Sequence, residues 1–193
     1  EIAHSSAMAL ANATIALTFT ADTVNGTQAL ISKDASGYGD GGHFTAYIQD
    51  GWLKVYQQSD ETSKYVRVAD MQIGEGESHH LALSMGEDGL KVYLDGDLKA
   101  AEPTFKVGLE DNGESLIVGA PGWSRSDTNN HISYNFHGEI SDVMVFGSPL
   151  ERAQIPTLAE SVHGPPAADL GIAAAQADTM VVTTATDSFN DHL

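Results

Sequence analysis

Cysteine is absent from this 193-residue chain. That removes disulfides, zinc-thiolate sites and thiol nucleophiles from consideration. Basic residues are scarce, nine Lys and Arg against 27 Asp and Glu, for a formal charge of −18. A surface so acidic repels phosphate backbones and anionic bilayers, so no nucleic-acid partner is expected. No apolar run approaches the roughly 20 residues that a spanning helix needs, and membrane insertion is not expected either. The sequence also has no Gly-x-Ser-x-Gly elbow, no P-loop and no His-Glu-x-x-His pair, the commonest short signatures of hydrolytic and nucleotide chemistry. The acids that are abundant suit solubility in a salty medium, or a set of carboxylates for divalent cations.

What the sequence does have is a succession of short alternating runs punctuated by glycine. Residues 14–19 place Ile15, Leu17 and Phe19 on one side and Ala16 and Thr18 on the other, the pattern of a half-buried strand. Asn25-Gly26 forms a turn before a short run at 29–32, and a Gly-rich loop over 33–42 offers Asp34 and Asp40 to a cation. Residues 43–49 and 52–57 are joined by Asp50-Gly51, a strong hairpin signal. Phe44, Ala46, Ile48, Leu53 and Val55 form the inner face of this hairpin. His43, Thr45, Tyr47, Trp52, Lys54 and Tyr56 form the outer one. Aromatics beside polar groups suit stacking on sugar rings, but they are equally the cross-strand pairs that stabilise a sheet unaided, and the latter role is the expectation here. Residues 64–68 form a further strand. The segment 79–100 supplies Leu81, Leu83, Leu90, Val92 and Leu94 to the core, with turns at Asp88-Gly89 and Asp95-Gly96. His79 and His80 are adjacent, point to opposite faces and cannot chelate one metal together.

Near the end, Ile140, Val143 and Val145 face one way and Met144 and Phe146 the other, so this strand is central, apolar on both faces. Gly147 breaks it. Ser148 with Glu151 three positions on has the form of a capping box with Pro149 at the first helical position, which predicts a short helix starting at Pro149. His163-Gly164-Pro165-Pro166 stops that helix, an Ala-rich linker follows, and the β-branched run at 180–186 is expected to pair with a sheet edge, in its own chain or, by self-association, in a neighbour.

The segment 136–158, with its aromatic, Gly, Ile, acidic residue, Val/Phe strand and small-Pro-Leu helix start, resembles the end of laminin G-like domains of the concanavalin A-like superfamily. The hairpin 79–100, with Tyr93, Asp95 and Gly96, resembles a second motif of that family, and 116–120 resembles the strand before its final loop. The resemblance covers about residues 10–160 and implies an all-β, two-sheet antiparallel jelly roll over 1–160 with one short helix. Residues 161–193 form a linker and a possible extra strand.

The same resemblance implies a secreted, non-catalytic module that recognises a carbohydrate or cell-surface glycoprotein with calcium, at the extracellular surface of a bacterium. Animal laminin G-like modules usually carry a disulfide, and this chain has no cysteine. It also opens on Glu1, as a mature chain or an excised fragment does. The glucanases of the superfamily carry Glu-x-Asp-x-x-Glu on one strand, and its alginate-lyase relatives carry Gln-x-His. Neither run occurs here, so no enzyme is expected. On the family's pattern, calcium sits at the rim between the loops of Asp40 and Asp127, with Asn129 and Asn130 as further ligands and Asp142 as a rival, structural site. Trp123, Arg125, Tyr134 and His43 are the groups placed to touch a ligand. Two other roles fit the sequence: a structural subunit of an extracellular assembly, and an accessory module of a polysaccharide-degrading enzyme.

Overall fold

The structure, a computed structural model, describes residues 1–34, 43–59, 63–68, 70–124, 133–150, 154–155, 158 and 179–182. Two antiparallel sheets carry the chain. The strands are β1 (Ala13–Ala21), β2 (Thr27–Lys33), β3 (His43–Gln49), β4 (Trp52–Gln58), β5 (Ser63–Arg67), β6 (Ser78–Met85), β7 (Leu90–Leu94), β8 (Asp97–Glu102), β9 (Leu116–Val118), β10 (Gly138–Phe146) and β11 (Thr179–Val182). A 6-stranded sheet has the order β11-β10-β1-β6-β7-β8, and a 5-stranded sheet the order β5-β4-β3-β2-β9. Consecutive β1 and β2 lie in different sheets, so the Asn25-Gly26 turn is a crossing between layers rather than a hairpin. Asp50-Gly51, both residues at positive φ, closes the β3–β4 hairpin as its sequence predicts.

The common core lies between the sheets. Ile15, Leu17 and Phe19 of β1 meet Phe44, Ala46 and Ile48 of β3 and Leu53 and Val55 of β4, with Leu81, Leu83, Val92 and Val143 from the larger sheet. Alternation thus assigns the inner faces of these strands correctly. It fails for the outer face of β1. Ala16 is fully buried rather than solvated, in a second cluster with Ala82, Tyr93, Phe146, Leu150, Ile155 and Leu158. The chain after β10 folds back across the outside of the 6-stranded sheet, and β1 is apolar-covered on both sides.

That fold-back replaces the expected helix start. Pro149 and Leu150 are not helical; the α-helical residues among those described are Gln154, Ile155 and Leu158. The Leu150 N–H donates to Thr14 Oγ1 at 2.9 Å, and the Thr14 hydroxyl donates to the Ser148 carbonyl at 3.0 Å. A side chain 136 residues earlier therefore meets the backbone donor, a partnership no local capping pattern reveals. Beyond, β11 pairs antiparallel with β10 from Phe146↔Thr179 to Val143↔Val182. The β-branched run near 180 thus pairs within its own chain, as expected.

Candidate functional site

The outward face of the 5-stranded sheet has no such cover among the described residues. Period-two alternation sends every second side chain of β3, β4 and β5 away from the core, and the register aligns them in rows: Gln49 beside Trp52; Tyr47, Lys54 and Arg67; Thr45, Tyr56 and Tyr65; His43, Gln58 and Ser63. With Thr27 and Ala29 of β2 and with Trp123 and Tyr134 from the loops beside β9, this face lines an open cleft of about 530 Å³.

Two aromatic pairs stand on the walls. Tyr56 and Tyr65 have ring centroids 4.5 Å apart, and Trp123 and Tyr134 5.0 Å apart. All but Tyr56 are well exposed, Tyr65 to 73%. Exposed aromatics of this size, held in place by neighbours, are apolar platforms that a folded chain ordinarily covers. Between them the cleft is lined with hydroxyls and amides. Gln49 Nε2 donates to Thr27 Oγ1 at 3.1 Å, the Tyr56 hydroxyl donates to Gln58 Oε1, and Lys54 Nζ donates to Gln49 Oε1. Burial, and secondarily the neighbouring Tyr65, pushes the Tyr47 hydroxyl above the usual tyrosine range, so it stays protonated and keeps its donor.

Backbone geometry sets the loop wall. The Ser32 hydroxyl donates to the Ala120 carbonyl at 3.0 Å and accepts the Gly122 N–H at 3.1 Å. A Cβ on Gly122 would lie 1.7 Å from the Asp34 carbonyl oxygen, so only glycine lets the turn carrying Trp123 seat this closely. Tyr134 has φ 62, left-handed for a non-glycine residue. Its carbonyl accepts the Ala29 N–H at 2.9 Å, where β2 bulges away from β3. That hydrogen bond and the contact with the Trp123 ring hold a conformation that costs on the order of 1–3 kcal/mol.

Several residues singled out from sequence fall on this site. Trp123 and Tyr134 stand on one wall. His43 lies in the lining but is buried, its Nδ1 hydrogen-bonded to the buried Asp34 carboxylate, which also accepts from Thr45 Oγ1 at 3.1 Å. Asp34 is therefore committed to His43 and Thr45 rather than offered to a cation. Asp142 lies elsewhere. It is an exposed residue at φ 52, on the bulge where β10 slips against β1, and it accepts the Ser141 hydroxyl at 2.7 Å. Asp40, Arg125, Asp127, Asn129 and Asn130 lie outside the described residues. Among the described residues no three His, Asp or Glu groups converge. Those residues alone do not fit a calcium ion, which takes six to eight oxygens. His79, which cannot chelate one metal together with His80, is buried against Phe19 with Nδ1 2.8 Å from Asp95 Oδ2. The sequence reading undervalued Tyr65, Tyr56, Tyr47, Gln49 and Gln58. Their signal was the outward alternation of three adjacent strands, which gathers aromatic and amide side chains on one side.

A family model described as the concanavalin A-like lectin/glucanases superfamily matches residues 1–156. No curated protein matches the chain by sequence. Among solved structures, Ruminococcus gnavus IT-sialidase CBM40 superposes with a TM-score of 0.61 at 20% identity, over 82% of this chain and 85% of that one. The same module bound to alpha2,6 sialyllactose gives 0.60 at 19%, over 78% and 84%. Domain 4 of AbnA, a GH43 extracellular arabinanase from Geobacillus stearothermophilus, in complex with arabinotriose, gives 0.59 at 18%, over 78% and 67%. A native heptameric SAP-like pentraxin from Limulus polyphemus gives 0.58 at 19%, over 78% and 70%. At these identities the likeness is one of fold.

Proposed function

The chain belongs to the concanavalin A-like lectin/glucanases superfamily, and we propose that it is a non-catalytic carbohydrate-binding module whose ligand lies in the cleft on the outward face of the 5-stranded sheet. The observation that carries this reading is the pairing of two exposed aromatic platforms, Tyr56–Tyr65 and Trp123–Tyr134, across a lining of hydroxyls and amides. A sugar presents C–H faces that stack on aromatic rings and an equatorial belt of hydroxyls that both donate and accept, and the lining offers both roles. The relatives of like fold that were solved with sialyllactose and arabinotriose support it.

The acids of the described lining support binding without turnover. Glycoside hydrolysis takes two carboxylates roughly 5–10 Å apart. Asp34 is the one acid among the described residues lining the cleft, and His43 and Thr45 hold it. The reading implies an extracellular setting, where polysaccharides and glycoproteins are met. Calcium enters it through the family's pattern alone, by way of Asp40, Asp127, Asn129 and Asn130, with Asp142 as the rival structural site.

A glycan array probed with the protein in calcium and again in chelator tests both parts. The reading predicts retention of at least one glycan. Trp123→Ala should weaken it about three- to tenfold, the equivalent of one aromatic contact of roughly 0.5–1.5 kcal/mol. Binding unchanged by chelator removes calcium from the account. An array with no signal in either condition moves the weight to a structural subunit.

A further inference from the structure

On the premise that the cleft binds sugars, we infer that its ligand carries an anionic group, a carboxylate or a sulfate, received by Lys54 and Arg67 at the β4–β5 edge of the cleft. The two cations are directly opposite one another in the antiparallel register of β4 and β5, on the same outward face. Like charges so placed destabilise a sheet, and a chain with 27 acids and nine bases has every means of separating or neutralising them. It does so for three other lysines. Lys64 pairs with Glu102, Lys91 with Asp88, and Lys99 with Asp70 and Asp97. Lys54 and Arg67 pair with no carboxylate among the described residues, and the outward positions of β3, β4 and β5 hold none.

Each cation is instead braced by a neutral neighbour. Lys54 Nζ donates to Gln49 Oε1, a lining group, which holds the ammonium at the rim of the cleft. The Arg67 guanidinium lies over the Trp52 ring, 4.5 Å from its centroid, an interaction that orients the fork without consuming its donors. A positive pair fixed in position beside a sugar-sized cleft, on a molecule of charge −18, is a local inversion of the surrounding field. A neutral sugar gives that inversion no purpose; a sugar acid or sulfate ester completes it.

Matched pairs of probes test this: alpha2,6-sialyllactose against lactose, oligogalacturonate against its methyl ester, and heparin oligosaccharide against its desulfated form, each titrated calorimetrically. The acidic member of at least one pair should bind tenfold or more tighter, as a charge-assisted hydrogen bond implies. Which pair responds separates carboxylate from sulfate. The preference should shrink as salt rises and disappear when Lys54→Gln and Arg67→Gln are combined. Neutral members binding as tightly as acidic ones, a preference insensitive to salt, or a preference that survives in the folded double variant would each overturn the inference and leave the cleft reading standing. If the wild type holds neither member of any pair, the cleft reading fails and the inference with it.

Discussion

The two sheets share a core and differ on their outer faces. On the 6-stranded sheet Ala16, Ala82, Tyr93 and Phe146 form an apolar surface, and the chain covers it with Leu150, Ile155 and Leu158 from its own C-terminal side. On the 5-stranded sheet the equivalent surface is aromatic and polar, and among the described residues it stays open enough to form a cleft of about 530 Å³. Among the described residues, the chain covers one sheet and leaves the other open. The open face is furnished with Tyr47, Tyr56, Tyr65, Gln49 and Gln58, groups that tolerate water and have the chemistry to hold a ligand. The contrast supports the proposed working side of the sandwich: one outer face is spent on stability, and the other is the one proposed for recognition.

The sharpest way to break this comparison is to damage each face in turn. Ile155→Ala, in the cover, should lower unfolding free energy by about 2–5 kcal/mol in a denaturant titration, because a fully buried side chain is lost and a cavity remains. It should leave glycan affinity unaltered. Tyr65→Ala, on the open face, should do the reverse, with stability lowered by no more than about 1 kcal/mol, the worth of its cross-strand pair with Tyr56, and binding weakened severalfold, since the ring is 73% exposed.

Lys33 tests the end of the sandwich away from both faces. It is buried, with Nζ donating to the Asn112 carbonyl and 3.2 Å from His4 Nδ1, and burial lowers its pKa from 10.5 to about 8, partly offset by Glu114. A lysine whose folded pKa is depressed binds fewer protons folded than unfolded between those two values, so its charge costs stability fully below about pH 8, and that cost fades as pH rises toward 10.5. The amount is on the order of 3 kcal/mol. The stability difference between wild type and Lys33→Met should therefore shift in the wild type's favour across that window. A flat difference would show that the amine is solvated. Taking the difference cancels Tyr47, whose raised pKa contributes in the opposite sense, stabilising below pH 10 and losing that contribution above it.

Much of this fold is legible in the sequence because its strands obey one rule at a time. Phe44, Ala46 and Ile48 alternate with polar or aromatic partners, Asp50-Gly51 can be little but a hairpin turn, and the core they imply is the core that forms. The cover was not legible. Ala16 looks solvent-facing until Leu150 and Ile155 are brought over it, and what brings them is the Thr14 hydroxyl, more than a hundred residues away in sequence. Thr14→Val should cost about 2 kcal/mol by orphaning the Leu150 N–H and the Ser148 carbonyl, measured by thermal unfolding. The site was legible in its residues but not in its meaning. Tyr56 and Tyr65 form a cross-strand pair at 4.5 Å, and a pair that stiffens a sheet is chemically the same pair that stacks on a sugar. Only the bare outer face distinguishes them. Trp123 and Tyr134 were candidates through the resemblance to laminin G-like domains, whose ligands lie at the rim formed by this loop, and the structure places both on the wall of the cleft.

The central claim is that recognition belongs to the outer face of the 5-stranded sheet and to no other. Amide chemical-shift mapping of the isotope-labelled protein, titrated with a glycan retained on the array, tests it most directly. The account predicts shifts at Thr45, Tyr47, Tyr56, Tyr65, Trp123 and Tyr134, with Ala16, Ala82 and Tyr93 on the covered face unmoved. Shifts confined to the covered face, or to the sheet edges at β8 and β11, would contradict it.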